Sequence, residues 1–114
     1  MKNLQLSLKT KWFEMTKAGI KTEDYRDLNY YWCSRLCLNS LNLKERIFSK
    51  DEIIQNDAKP FTQNTMTLGY PKKGDTERTL ILEHKGIEIR TGNPEWGAEP
   101  GKIYFVIKHG NKIN

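Results

Sequence analysis

Ala18-Gly19-Ile20-Lys21-Thr22-Glu23-Asp24-Tyr25-Arg26 is the stretch on which the reading of the fold turns. Taken as chemistry it is G-x-K-x-x-D-x-R: a glycine that breaks the backbone, followed by three charged groups. If residues 22–26 form a strand, side chains alternate between its faces, so Asp24 and Arg26 point the same way. Lys21 then stands at the strand mouth, where its long side chain can swing toward either face. A cation, a carboxylate and a guanidinium would share one small area at a sheet end. That cluster suits a phosphate grip, a catalytic site or a structural ion pair.

The segments before the glycine fit this reading. Leu4, Leu6 and Leu8 alternate with Gln5, Ser7 and Lys9, the period of a half-buried strand. Thr10 is placed to cap a short helix over residues 11–18, with Trp12, Met15 and Thr16 on its inner face. Gly19 stands where a glycine terminating that helix belongs. The chain therefore opens as strand, short helix, glycine turn, strand.

Residues 28–40 are aromatic and partly helical in pattern, with Tyr31, Trp32, Arg35, Leu36 and Leu38 along one stripe. Residues 41–59 read as an excursion, with a helix start at Ser49 completed by Glu52 as a capping box. From Phe61 the period changes to two, and Phe61–Leu68 reads as a strand. Pro71-Lys72-Lys73-Gly74-Asp75 is a turn. Thr79–His84 is strand-like, Lys85-Gly86 marks a bulge or tight turn, and Ile87 and Ile89 resume the alternation. A Gly- and Pro-rich loop over 91–101 holds Trp96, and Ile103–Lys108 is the last strand. Consecutive strands joined by short turns predict a mostly antiparallel, curled sheet.

Composition bounds the function. A chain of 114 residues predicts one domain with its own core. It has no apolar run long enough to span a membrane and no signal-peptide pattern, so the expectation is a cytoplasmic protein without a membrane partner. The net charge is +5, and the excess sits in the N-terminal half: residues 1–50 hold ten Lys/Arg against five Asp/Glu. That asymmetry favours an anionic partner, with nucleic acid the commonest. Cys33 and Cys37 form no disulfide framework, and His84 and His109 have no ligand spacing, so neither a metal nor a cofactor is expected.

The motif carries a family resemblance. Leu6-Ser7-Leu8-Lys9, Trp12-Phe13 and the run Ala18–Arg26 together resemble the ASCH domain of the PUA-like superfamily, whose signature is G-x-K-x-x-E-x-R after the first helix. Gly19, Lys21 and Arg26 match it, and Asp24 stands where the family usually has Glu. Gly97-Ala98-Glu99-Pro100-Gly101-Lys102-Ile103-Tyr104-Phe105-Val106-Ile107 is similar to the family's closing loop and last strand. The resemblance implies an α+β chain: a small PUA-like β-barrel over residues 1–114, with a short N-terminal helix and residues 28–60 as a helical insertion. It also implies binding of RNA or a modified nucleotide in a cleft at the motif.

Some ASCH members are small amidohydrolases acting on a modified cytidine, and others are ribonucleases. The alternative expectation is therefore a hydrolase of a modified nucleoside or RNA, with Lys21 and Asp24 as acid/base groups. In the amidohydrolases the motif lysine assists a threonine nucleophile at the position Asp24 occupies here, so that mechanism does not transfer. The predicted ligand-binding set is Lys9, Lys11, Lys21, Asp24, Arg26, Tyr70 and Trp96. Lys and Arg are chosen for phosphate, Asp24 for an exocyclic amine, and Tyr70 and Trp96 as exposed rings for base stacking. Trp12 and Trp32 are expected in the core.

Overall fold

A computed structural model describes residues 3–37, 59–69 and 76–113. Its strands β1 (Asn3–Leu8), β2 (Glu23–Arg26), β3 (Gln63–Leu68), β4 (Thr79–Thr91) and β5 (Ile103–Lys112) form one sheet in the order β1-β3-β4-β5-β2. Among the described residues two helices, α1 (Thr10–Lys17) and α2 (Tyr30–Leu36), accompany it in an α+β architecture. The sheet is mixed, with one parallel pair beside the antiparallel pairing expected. β1 pairs with β3 in parallel, Leu6 opposite Met66, and β3 pairs with β4 antiparallel, Met66 opposite Leu80. Short turns predicted antiparallel neighbours, but β1 takes its partner from 55 or more residues downstream, where no turn sets the direction.

Contacts divide the chain into two units. The first comprises Met1–Glu23, Phe61–Lys85 and His109–Asn114. In β1 the leucines 4, 6 and 8 are buried and Asn3, Gln5 and Ser7 exposed, the predicted alternation. They join Phe13, Met66, Leu80 and Leu82 as buried apolar residues of this unit. Full burial of a side chain such as Phe13 is worth about 1.5–3 kcal/mol.

Helix α1 begins one residue earlier than predicted. Its N-cap is Lys9, and no side chain caps it, so Thr10 is helical rather than capping. Phe13 and Thr16 form the buried face, while Trp12 and Met15 are only half-buried. Thr16 satisfies its buried hydroxyl by donating to the Trp12 carbonyl at 2.7 Å. Gly19 ends the helix as predicted, at φ +78°. Its N–H donates to Thr16 O and that of Ile20 to Met15 O, the two reversed bonds of a Schellman motif. This turn delivers Lys21 to the start of β2.

The second unit comprises Asp24–Pro60 and Gly86–Lys108. Tyr25 packs on Ala98, Tyr104 and Val106, its ring 5.6 Å from that of Tyr104. Both phenols also hold the loop before β5: the Asn93 N–H donates to Tyr25 Oη at 2.8 Å and the Glu99 N–H to Tyr104 Oη at 2.9 Å. Helix α2 is capped by Asn29, whose side chain accepts from the Trp32 N–H at 2.9 Å. Cys33, Leu36 and Cys37 are buried, and neither cysteine is in a disulfide.

The predicted break at Lys85-Gly86 is present within one continuous strand. Burial falls on Leu80 and Leu82 before it and on Ile87 and Ile89 after it, a one-residue change of phase. Gly86 takes φ +116° there. A bulge makes this change, because one extra residue moves the following side chains to the other face. The Ser49 capping box, the rest of residues 38–58, and the turn at 71–75 lie outside the described residues.

Candidate functional site

The motif run does form the predicted strand. Asp24 and Arg26 face the same side of β2, and Arg26 Nε donates to Asp24 Oδ2 at 2.8 Å. The carboxylate is nearly closed off, with Asp24 only 6% exposed. The guanidinium continues outward, its carbon 4.8 Å from the centre of the Trp32 ring. Lys21 ends in the first unit, 2% exposed, and its ammonium donates to the backbone carbonyl of Glu23. A buried ammonium must find oxygen partners, and here the strand's own backbone supplies one.

Arg26 belongs to a larger aromatic and basic group in the second unit. Arg35, one turn along α2 from Tyr31, lies 5.6 Å from the Trp32 ring centre and 5.3 Å from that of Tyr31. Its Nη1 also donates to Tyr31 Oη at 3.2 Å. The two rings meet edge to face, 5.1 Å apart. Tyr31 is 57% exposed, and Arg35 is exposed. Trp32, expected in the core, is half-buried and has a guanidinium from each of two elements against it. The reason is positional: Cys33 and Leu36 take the inward face of this two-turn helix, leaving 31, 32 and 35 toward its edge.

The other predicted site residues are dispersed. Lys9 at the N-cap and Lys11 in the first turn of α1 are exposed, and the Lys11 ammonium lies 4.8 Å over the Trp12 ring. Lys9 borders a pocket of about 490 Å³ in the first unit, lined also by Ser7, Thr10, Leu68, Gly69 and Arg78. Trp96 is half-buried in a 3-10 turn, Pro94–Trp96, closed by Gly97 at φ +97°. Tyr70 lies outside the described residues. Among the described residues no group of three or more His, Cys, Asp and Glu is arranged to hold a metal. No described helix is long and apolar enough to cross a membrane.

Sequence reasoning missed one polar cluster. Asn64 on β3 is fully buried, and its amide bridges two imidazoles. His84 Nδ1 lies 2.7 Å from Asn64 Oδ1, and Asn64 Nδ2 lies 2.7 Å from His109 Nδ1. Phe61 packs edge-on against His84, ring centres 5.5 Å apart. Burial holds the His84 pKa below the ordinary imidazole value of 6.5. The only signal in the sequence is an asparagine at a position of β3 where the period calls for an apolar residue.

Neither a family model, a curated protein nor a solved structure matches this chain.

Proposed function

We propose that the protein binds single-stranded RNA or a modified nucleotide through the Arg26–Trp32–Arg35–Tyr31 face of its second unit. The observation that carries this reading is the pair of guanidiniums packed on Trp32 beside an exposed Tyr31. Aromatic rings accept bases by stacking, worth about 1–3 kcal/mol per base, and adjacent arginines meet the phosphates. Asp24 holds Arg26 in place, so one side of this face is ordered before a ligand arrives. The charge excess in residues 1–50 supports the same class of partner.

The ASCH-type, PUA-like assignment belongs to this proposal. The opening β1-α1-β2 with its Schellman glycine and the Lys21, Asp24 and Arg26 pattern support it. A hydrolase is the weaker reading. Lys21 is buried with its ammonium on a backbone carbonyl, an arrangement better suited to holding the start of β2 than to moving protons.

Anisotropy titration of a labelled single-stranded RNA pool at low salt tests the proposal. Binding is expected, with Trp32→Ala lowering affinity about thirtyfold, the middle of the stacking range. Loss of one phosphate contact in Arg35→Ala should flatten the slope of log affinity against log salt by about 0.7. Absence of wild-type binding to RNA and to nucleotides at low salt overturns it.

A further inference from the structure

The Asn64 bridge has a consequence that holds whichever way its amide is turned. An amide presents one acceptor and one donor edge. With Oδ1 toward His84, that ring donates through Nδ1–H, and His109 must keep a bare Nδ1 to accept from Nδ2. Turned over, the roles exchange: His109 donates and His84 must keep the bare nitrogen. An imidazolium carries hydrogen on both nitrogens and has no bare one. We propose that Asn64 makes His84 and His109 a single-proton switch, in which either ring can be charged but not both while the bridge stands.

Several charged neighbours of the pair are bonded to other groups. Glu83 and Lys85 flank His84 in sequence and project to the opposite side of β4, where they pair at 3.4 Å. That side is also where Gly110 lies, since a Cβ there would meet both of their side chains. On β3 the neighbour Thr65 donates to Asn3 Oδ1 at 2.7 Å. At the β2 side the backbone N–H of His109 donates to Thr22 O at 3.0 Å. Lys21 and Glu23 flank that carbonyl in sequence, and Lys21 directs its ammonium to the Glu23 backbone. Lys108 precedes His109 and is bonded to Glu88. Phe61 covers His84 with an uncharged ring.

A second proton therefore has to break one of the two bridging bonds. Loss of the His84 bond unties β4 from Asn64 on β3, and loss of the His109 bond unties β5, so double protonation loosens the sheet at Asn64. The device is a proton counter: one charge is accepted with the structure intact, and the next opens it.

Long-range ¹H–¹⁵N spectra of the imidazole nitrogens between pH 8 and 4.5 test this. In the wild type one imidazole is expected to titrate while the other keeps its neutral pattern for as long as the backbone spectrum stays folded. His84→Phe removes the ring that Asn64 Oδ1 bonds, so the amide oxygen can turn toward His109, and His109 should then titrate in that range. Asn64→Asp offers acceptors to both rings, so both should become cationic with raised midpoints. The wild-type spectra decide the matter alone if Asn64→Asp does not fold. Two cationic imidazoles in the folded wild type, with both Nδ1 atoms protonated, overturn the proposal. So does a His84→Phe protein whose His109 still refuses the proton.

Discussion

At the scale of single residues, the Asp24–Arg26 pair is the part of the motif whose energetics can be measured directly. Its two side chains are 9% and 19% exposed, so each loses most of its water and depends on the other. Removing one partner leaves a buried charge uncompensated, whereas removing both removes the cost as well. A double-mutant cycle with Asp24→Asn and Arg26→Gln should therefore give a coupling of about 1–3 kcal/mol in urea unfolding. A coupling near zero would mean the pair is incidental. Gly92 is a second residue-scale test. A Cβ there would lie 2.6 Å from Tyr25 Cε1 and 2.8 Å from Ala98 Cβ. Tyr25 is pinned by the Asn93 N–H and by Tyr104, so it has little room to yield. Gly92→Ala should cost about 1–3 kcal/mol by overpacking, measured as a lowered urea midpoint at unchanged slope.

At the scale of elements, local chemistry explains where the helices stop better than where they start. Gly19 was legible because a glycine after an apolar stripe supplies the left-handed conformation a Schellman turn needs. Lys9 was not legible as the N-cap, since no side-chain bond marks that end of α1. Thr10 has the right chemistry for a cap but its backbone is already helical. Asn29 is the opposite case, a cap with its bond made. Asn29→Ala should lower stability by about 1 kcal/mol and loosen α2, read as faster amide exchange at Trp32 and Cys33. Because α2 carries Tyr31, Trp32 and Arg35, the same variant should weaken the proposed RNA binding without touching a contact residue.

At the scale of the whole molecule, His84 and Glu88 make the fold acid-sensitive. His84 has its folded pKa depressed by burial, so the unfolded chain binds its proton more readily. Its contribution to stability is present above pH 6.5 and is lost as pH falls through the lower folded value. Glu88 adds to this in a more acidic window. Hydrogen bonds from Lys108 and Arg90 hold its carboxyl below the ordinary 4.5. Its contribution is complete above that value and lost as pH falls further. Melting temperature should decline below about pH 6.5, and His84→Phe should flatten the upper part of that decline. A melting temperature constant from pH 8 to 5 would contradict it.

The sequence by itself determined the local elements and their faces: the leucine alternation of β1, the helix stop at Gly19, the shared face of Asp24 and Arg26, and the phase change at Gly86. These follow from backbone sterics and side-chain periodicity, which act over a few residues. Only the tertiary structure decided that β1 lies parallel to β3 and that Asn64 joins His84 to His109. Those outcomes join residues as much as 62 positions apart. No local spacing encodes them, because pairing across that distance is selected by the burial of the whole sheet.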